Sequence, residues 1–292
     1  MTPAVLGFVG LGNMGGPMAA NLAAAGFALV CFDAAGTTER MPPGASAAED
    51  PAAVTAGVDT VMLSLPDGRV CLDVARAIAA ATPRRATTVI DLSTVGPAAA
   101  AEAASVLAPA GVTYVDGPVS GGVAGARNAT VSLMYAGPVE TLEAHREVFG
   151  AIAGNVFNAG TTPGQGQALK LLNNYLSATA LAASSEALAF GRAHGLDMKV
   201  MLDAVNASSG RNTATADKFP NRVMTGTYDA GFHTALMAKD MRLYVDMARQ
   251  VGTSDTVGRV VSAVWQEADA AMPGSDFTRI WPFVSGADRG VR

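Results

Sequence analysis

The chain alternates short strand-like runs with alanine-rich helical stretches up to about residue 160, and this alternation restricts the available folds more than any other feature. The first of these runs are apolar throughout, as expected of strands that are buried on both faces. Strands separated by helices are joined by crossovers, so we predict an α/β protein with a mostly parallel sheet covered by helices on both faces. The predicted strands are residues 5–9, 27–32, 60–65, 88–91, 112–116 and 130–135, and helices among them include residues 14–25, 69–81 and 97–108.

After Gly164 the pattern becomes helical only. Residues 165–194 contain no proline, and Leu, Ala and Phe recur there at helical spacing, which predicts one helix of about 28 residues, roughly 42 Å long. Further helical patterns cover residues 198–206, 233–251 and 253–270. We therefore predict a long helix between two domains, a boundary at 162/163, and an all-helical second domain, giving domains 1–162 and 163–292.

Composition restricts the partners and the compartment. Lys and Arg total 20 against 25 Asp and Glu, a net charge of −5, and no basic run could follow a phosphate backbone, so we expect no nucleic-acid partner. No run of about 18 apolar residues predicts a membrane span, and the first residues lack the pattern of a cleaved leader. Cys31 and Cys71 lie in apolar runs, which indicates buried free thiols in a reducing compartment, the cytoplasm.

A glycine-rich segment lies between the first predicted strand and the first helix and reads Gly10-Leu11-Gly12-Asn13-Met14-Gly15. In this setting the first glycine permits a tight turn, the second lets a pyrophosphate approach the backbone, and the third lets helix and strand pack closely. The N–H groups at the start of the helix supply donors to the anion. We predict that these six residues bind a dinucleotide; an ordinary glycine-rich turn is the alternative.

Asp33 follows the second predicted strand, 18 residues after Gly15. A dinucleotide-binding fold places there the group that meets the adenosine ribose, and a carboxylate accepts from both ribose hydroxyls while repelling a 2′-phosphate. The next three residues include no arginine, although Arg40 lies in the same loop. NAD is therefore favoured over NADP. The alternative role for Asp33 is that of a turn residue.

Two short segments, Leu65-Pro66-Asp67 and Ser93-Thr94, also follow predicted strands. They therefore lie at the carboxyl edge of the sheet, where open α/β sheets bind ligands. Taken alone they are turn residues, and the Ser-Thr pair could instead cap the helix that begins near Pro97.

Residues 116–122 form a third segment of this kind, in which Ser120 is followed by Gly121 and Gly122. Adjacent accessible N–H groups at such a sequence can cradle a small anion, and a carboxylate would fit. A hairpin turn would explain the two glycines equally well.

Lys170, Asn173 and Asn174 stand at positions i, i+3 and i+4 of the long predicted helix and so share one face. A partly buried lysine has a readily tuned proton affinity and three donors, which suits general acid–base chemistry on a carbonyl or hydroxyl. The alternative is a surface lysine beside two solvated amides. Lys239 and Asp240 lie in another apolar helix and by themselves indicate a solvated face.

The three histidines, His145, His194 and His233, lie far apart without Glu or Cys at ligand spacing, so we predict no metal site. The sequence also lacks the Gly-x-Ser-x-Gly elbow of a hydrolytic triad.

In order and over almost the whole chain, these segments resemble those of the β-hydroxyacid dehydrogenase family. The matching segments are residues 10–15 with Asn21-Leu22-x-x-x-Gly26, Leu65-Pro66, residues 91–94, 116–122 and 164–174, and Lys239-Asp240. The resemblance implies a Rossmann-type amino-terminal domain. The chain departs from the family's pattern at Ala129, where the family usually has glycine.

The resemblance also implies roles for individual residues. Lys170 would be the catalytic acid and base, Ser120, Gly121 and Gly122 would hold the substrate carboxylate, and Asn174 would orient the substrate. Contacts with the cofactor would come from Leu65, Pro66, Thr94 and Lys239. The substrate pocket would be completed by Thr94, Phe232 and Asp240.

The implied reaction transfers a hydride between C4 of the nicotinamide and the hydroxyl-bearing carbon of a short 3-hydroxy acid or its semialdehyde. Imine reductases share the implied architecture but usually lack the lysine, so Lys170 argues against that activity. A cofactor-binding protein without chemistry is disfavoured by the combination of Lys170, Asn174 and the anion cradle. Which acid is the substrate stays open at this stage, and the apolar helices predict a homodimer or homotetramer.

Overall fold

The computed structural model describes residues 5–286. Its strands are β1 (Val5–Val9), β2 (Ala28–Phe32), β3 (Ser46–Ala47), β4 (Thr60–Leu63), β5 (Thr88–Asp91), β6 (Thr113–Asp116), β7 (Val119–Ser120), β8 (Val131–Ala136) and β9 (Ala153–Gly160). Its helices are α1 (Gly15–Ala24), α2 (Pro51–Val54), α3 (Gly68–Ala80), α4 (Pro97–Leu107), α5 (Gly122–Arg127), α6 (Val139–Ala144), α7 (Arg146–Ile152), α8 (Gln165–Ala193), α9 (Met198–Asn206), α10 (Thr234–Gln250), α11 (Thr256–Ala271) and α12 (Ile280–Ser285). The chain divides into two compact units, one ending at Lys170 and the other beginning at Leu171, so the division falls inside α8.

Within the described residues, nine strands form one sheet in the order β3-β2-β1-β4-β5-β6-β8-β7, with β9 against β8. Neighbouring strands from β3 to β6 are parallel, while β6 and β7 pair antiparallel with β8. The chain order reverses between β1 and β4, which is where such sheets bind ligands. The mostly parallel sheet predicted from the sequence is confirmed.

Successive residues of the central strands contribute to two separate cores, one on each face of the sheet. Phe8 and Met62 pack with α1 and α7, whereas Val9 and Val61 pack with α3 and α4. Each core contains one cysteine, Cys31 on the first face and Cys71 on the second, and both thiols are free and buried. Helices cover both faces, as predicted, because every central strand is apolar on both sides.

The sequence analysis missed three strands, β3, β7 and β9. Two of them are only two residues long, which is too short for any period to be visible. The third, β9, lies at the edge of the sheet, and its residues from Gly154 to Asn158 are exposed. An edge strand with mixed polarity carries neither the buried apolar run nor a strict alternation.

The second unit is helical, as predicted, and its helices enclose a core around the buried Trp265. The indole N–H of Trp265 donates to the Ala178 carbonyl of α8 over 3.3 Å. The sequence analysis missed the π-helix over Ala214–Val223, which contains Pro220. Proline usually interrupts a helix, so the local sequence pattern did not predict a helix over this segment. Across residues 5–286, the structure contains no helix that is both long enough and apolar enough to span a membrane.

Ala129, the departure from the family's pattern, lies in the loop before β8 with a φ of 54°. This left-handed conformation is unfavourable for a residue with a Cβ and is typical of glycine. The loop therefore keeps the backbone conformation of a glycine position although alanine occupies it.

We expect Ala129→Gly to raise the free energy of unfolding by about 1 kcal/mol, because it removes the cost of a Cβ in the left-handed region. Urea unfolding checks this value. The same change at Ala101, an exposed position inside α4, is the matched control and should lower stability by about 1 kcal/mol. Destabilisation by Ala129→Gly would contradict the assignment of strain to this loop.

Candidate active site

The carboxyl ends of the parallel strands lie at one edge of the sheet, and main-chain bonds tie the loops that leave it. Ser64 N donates to Val9 O over 2.9 Å, and Gly10 N donates to Phe32 O over 2.8 Å. Leu92 N donates to Leu63 O in the same way. Gly117 N, after β6, donates to Asp91 O over 2.8 Å. The structure therefore brings to one edge the loops that carry the predicted residues of the first unit: Gly10-Leu11-Gly12-Asn13-Met14-Gly15, Asp33, Leu65, Pro66, Thr94, Ser120, Gly121 and Gly122.

The three glycines of the first loop have different surroundings. Gly10 has a φ of 94°, and a Cβ on it would lie 2.2 Å from the Ser64 carbonyl oxygen. A Cβ on Gly15 would lie 2.0 Å from the Gly10 carbonyl oxygen. A Cβ on Gly12 would meet nothing within 4 Å among the described residues, so the main chain is accessible there. This arrangement fits a pyrophosphate group lying against the loop.

The start of α1 also suits an anion. The helix opens with Gly15, Gly16 and Pro17, which carry no charge, and in the described part of the chain no side chain caps it at Met14. Gly16 N donates to Gly12 O over 2.9 Å and Pro17 has no N–H, so the attraction for an anion comes mainly from the helix dipole, which favours negative charge at this end.

Asp33 lies directly after β2 and holds the glycine-rich loop. Its Oδ2 accepts the N–H of Leu11 over 2.6 Å, and its Oδ1 accepts the N–H of Ala35 over 2.8 Å. Arg40 Nη1 lies 3.9 Å from Asp33 Oδ1. Asp33 is thus a turn residue and also a neighbour of the glycine-rich loop, so its role in the turn is compatible with the predicted contact with a ribose. Its contact with a ribose remains a prediction.

Asp91, at the end of β5, organises the loops that carry Leu65 and Thr94. Its buried carboxylate accepts the N–H of Ser93 over 2.9 Å and the hydroxyl of Tyr114 over 2.9 Å. Ser93 Oγ in turn accepts the N–H of Leu65 over 2.7 Å. Burial raises the pKa of Asp91, while these donors favour its charged form. The sequence analysis did not identify Asp91 as a site residue.

The alternative in which Ser93 or Thr94 is the N-cap of α4 is wrong. The N-cap residue of that helix is Gly96. The hydroxyl of Ser93 instead supports the loop after β4, as described above.

Asp116, at the end of β6, caps the start of α8. Its Oδ1 accepts the N–H of Gly164 and its Oδ2 accepts the N–H of Gln167, both over 2.9 Å. Gly164 precedes the helix and has no side chain with which to cap it, so the cap comes from a residue 48 positions earlier in the chain. Burial raises the pKa of Asp116 to about 6, although both N–H donors lower it.

Gln167 ties the same turn of α8 to the loop after β5, and it is fully buried. Its Oε1 accepts the N–H groups of Val95 and Gly96 over 3.0 and 3.1 Å. Its Nε2 donates to the Ser93 carbonyl over 2.9 Å. The sequence analysis missed these roles of Asp116 and Gln167. The only local signal was a glycine where a capping side chain is expected.

Ser120 ends β7, opposite Ser132 of β8, and the two glycines that follow it start a short helix, α5. Gly121 has a φ of 145° and Gly122 a φ of 65°, which favour glycine. β7 and β8 do form an antiparallel pair, but the connection between them contains α5, so the two glycines begin a helix instead of making a tight hairpin turn. The carboxylate cradle remains a prediction.

Lys170 of α8 is buried, with 5 % of its surface exposed, and Asn174 is equally buried. The half-buried Asn173 donates from Nδ2 to Asn174 Oδ1 over 3.1 Å. The alternative of a surface lysine with solvated amides is therefore wrong. Lys170 and Asn174 lie one helical turn apart on the same face of α8.

In the second unit, Asn174 meets the Lys239-Asp240 pair. Asn174 Nδ2 donates to Asp240 Oδ2 over 2.6 Å, and Lys239 Nζ lies 3.4 Å from Asp240 Oδ1. Only 1 % of Asp240 is exposed, so the interpretation of this pair as a solvated face is wrong. Phe232, just before α10, packs edge-on against Phe277 with ring centroids 5.7 Å apart.

Within residues 5–286, no group of three or more His, Cys, Asp or Glu side chains could hold a metal ion.

Comparison with known proteins matches both parts of the chain to family models. Residues 5–160 match the NAD binding domain of 6-phosphogluconate dehydrogenase. Residues 164–283 match the model described as NAD-binding of NADP-dependent 3-hydroxyisobutyrate dehydrogenase. The chain is also 36% identical to 3-hydroxyisobutyrate dehydrogenase of Pseudomonas aeruginosa, over 97% of this chain and 99% of that protein. This chain belongs to the β-hydroxyacid dehydrogenase family.

Other members of the β-hydroxyacid dehydrogenase family are similar over nearly as much of the chain. An NAD-dependent L-serine dehydrogenase of Pseudomonas aeruginosa is 35% identical over 89% of this chain and 91% of its own length. The structure of Mycobacterium tuberculosis 3-hydroxyisobutyrate dehydrogenase with L-serine superposes with a TM-score of 0.89 at 31% identity, covering 97% of this chain and 99% of that one. The amino-terminal part of the chain is accordingly an NAD(P)-binding domain.

The raised pKa of Asp116 predicts a pH-dependent stability. A carboxyl group whose pKa rises on folding from 3.8 to about 6 holds its proton more tightly in the folded state. Its contribution is therefore greatest below the unfolded pKa and is lost as the pH rises through about 6.

Relative to Asp116→Asn, the free energy of unfolding of the wild type should fall by about 2 kcal/mol between pH 4 and pH 7. Urea unfolding of both proteins across this range measures the difference. A difference that does not change with pH would contradict the raised pKa.

Proposed function

We propose that this chain is a nicotinamide-dependent dehydrogenase that interconverts small 3-hydroxy acids and their semialdehydes, with Lys170 as the general acid and base. The observation that carries the proposal is the burial of Lys170 on α8. The first turn of this helix is bonded to loops at the carboxyl ends of the parallel strands, which we call the ligand edge. An ammonium group held out of bulk water can be tuned to exchange a proton with a substrate hydroxyl.

The bound nicotinamide would supply the hydride transfer. Lys170 would accept the hydroxyl proton during oxidation and return it during reduction. The N–H groups after Ser120, on Gly121 and Gly122, would hold the substrate carboxylate. Asn174, one turn after Lys170, would orient the substrate. Cofactor contacts are proposed for Leu65, Pro66, Thr94 and Lys239, and further substrate contacts for Thr94, Phe232 and Asp240.

The chemistry of the relatives' substrates supports this division of roles. 3-Hydroxyisobutyrate and L-serine, named for the relatives above, both carry a hydroxymethyl group on the carbon next to a carboxylate. They differ only in the third substituent of that carbon, a methyl or an ammonium group. A carboxylate cradle and a proton-transferring lysine would recognise the shared part. The third substituent would then set specificity, and we propose a 3-hydroxyisobutyrate-like substrate.

NAD is the proposed cofactor because Asp33 places a carboxylate beside the dinucleotide loop. A 2′-phosphate at this position would meet that negative charge. Arg40 Nη1 lies 3.9 Å from Asp33 Oδ1, so this carboxylate partly offsets the positive charge that would attract a 2′-phosphate.

We also propose a homodimer or homotetramer in a reducing, cytoplasmic setting. Leu172, Leu176 and Phe190 expose more than half of their surface along one helix, which is typical of faces that partners cover. The two free, buried thiols agree with a reducing compartment.

The lysine variants provide the main test. Lys170→Ala should lower kcat about 10²- to 10⁴-fold, because a positioned general acid–base is removed. NAD should still bind, since the glycine-rich loop is unchanged. Lys170→Arg should not restore activity, because guanidinium stays protonated and cannot accept the hydroxyl proton. Steady-state kinetics with 3-hydroxyisobutyrate and L-serine, together with NAD titration, measure both effects. Activity within a few-fold of wild type in either variant would place proton transfer elsewhere.

Cofactor preference tests the role of Asp33. Asp33→Ala combined with Ala34→Arg should shift the ratio of kcat/KM for NAD and NADP about 10-fold or more toward NADP, because a charge-assisted hydrogen bond replaces repulsion. Asp33→Asn is the control: it removes the charge but keeps an acceptor for Leu11 N, so NAD preference should weaken less. Equal use of both cofactors by the wild type would contradict the assignment.

A further inference from the structure

The first turn of α8 is bonded to two loops of the ligand edge at once. Asp116 joins it to the end of β6, through Gly164 N and Gln167 N. The side chain of Gln167 joins it to the loop after β5, through the N–H groups of Val95 and Gly96 and the carbonyl of Ser93. We call Asp116 and Gln167 the first-turn clamp.

Close packing at Gly166 seats the same turn on the sheet. A Cβ at this position would lie 2.3 Å from the Met134 carbonyl oxygen of β8 and 2.9 Å from Asp116 Oδ2. The helix backbone therefore approaches the sheet as closely as a glycine permits. The contact at Gly166 sets the distance between the start of α8 and the sheet, and the bonds of the clamp set its position relative to the two loops.

We propose that Asp116 and Gln167 are positioning residues of the reaction, which place Lys170 relative to the loops of residues 93–96 and 116–122. This inference rests on the proposed role of Lys170. The lysine lies three residues after Gln167, about 4.5 Å along the helix axis, so a shift of the first turn moves its Cα directly. The two loops carry Thr94 and Ser120, the predicted contacts of cofactor and substrate.

Each bond of the clamp runs from a buried side chain directly to the main chain, which is why the clamp can transmit position. Its five partners are backbone N–H or C=O groups, and backbone groups have no rotamers that could absorb a displacement. A displacement of about 1 Å in a reacting group can reduce catalysis about 100-fold.

Asp116→Asn and Gln167→Met test the proposal. The first leaves an amide N–H facing a backbone N–H, and the second leaves the partners of Gln167 without bonds. Each should lower kcat about 10- to 100-fold. For Asp116→Asn, which leaves the loop of residues 93–96 bonded to Gln167, the Kd for NAD should stay within about threefold of wild type.

Asp197→Asn is the matched control for Asp116→Asn. Asp197 caps α9 with a bond of the same kind, in which its Oδ1 accepts the N–H of Val200 over 3.1 Å. Its loss should lower the urea midpoint of unfolding, because a cap of the same kind is removed, while kcat stays at the wild-type value. A fall in kcat equal to that of Asp116→Asn would show a general effect of lost capping and would overturn the proposal.

Combining the clamp variants with Lys170→Ala separates positioning from structural damage. If the clamp acts through the lysine, Asp116→Asn and Gln167→Met should cause no further loss of the residual rate once Lys170 is gone. Multiplicative losses would overturn the proposal. Should Gln167→Met fail to fold, the near-isosteric Asp116→Asn carries the test alone.

Amide hydrogen exchange gives a readout that does not depend on activity. Gly164 and Gln167 should exchange faster in Asp116→Asn, and Val95 and Gly96 should exchange faster in Gln167→Met. Unchanged exchange at these four amides would overturn the clamp. If kcat falls strongly in Lys170→Ala but not in the clamp variants, the clamp proposal is contradicted and the proposed function is not. Wild-type activity in Lys170→Ala would contradict the proposed function.

Discussion

Backbone N–H groups bonded to buried carboxylates at the strand ends hold the ligand edge of this protein together. Asp91 and Asp116 are register partners at the ends of β5 and β6, and each accepts main-chain donors from the segment that follows or faces it. A buried carboxylate is costly unless its oxygens are bonded. Here the bonds fix the position of the main chain itself, which the exposed ion pairs of the protein, between long side chains, do not achieve.

The same edge depends on close contacts between backbones. Gly10, Gly15 and Gly166 each lie where a Cβ would come within 2.3 Å of a carbonyl oxygen. The starts of α1 and α8 can therefore sit directly on the strand ends. The start of α1 has no side-chain cap at Met14, while the start of α8 is capped by Asp116. The uncapped start suits a negatively charged group, and the capped one carries the lysine of the proposed chemistry.

The relatives place this architecture among enzymes for short hydroxy acids, and the proposed site would let one scaffold serve several of them. The proposed cradle and Lys170 belong to elements bonded to the sheet edge. The group that distinguishes 3-hydroxyisobutyrate from L-serine is the third substituent of the carbon that also carries the carboxylate and the hydroxymethyl group. Specificity can then change without disturbing the bonds that hold α8, Ser93 and Leu65 in place.

Much of this protein was determined by its sequence alone. The strand and helix pattern predicted the α/β sheet, because buried parallel strands are apolar on both faces. The glycine spacing predicted where the backbone of the first loop turns tightly, packs closely and stays accessible. The helical face of Lys170 and Asn174 likewise follows from helix geometry. Tertiary structure decided what those residues contact. The capping of α8 by Asp116 spans 48 positions, the bonds of Gln167 span more than 70, and Asn174 meets Asp240 from 66 positions away. Local propensity and period carry no information on such pairs, since only the folded sheet and helices bring these groups within bonding distance.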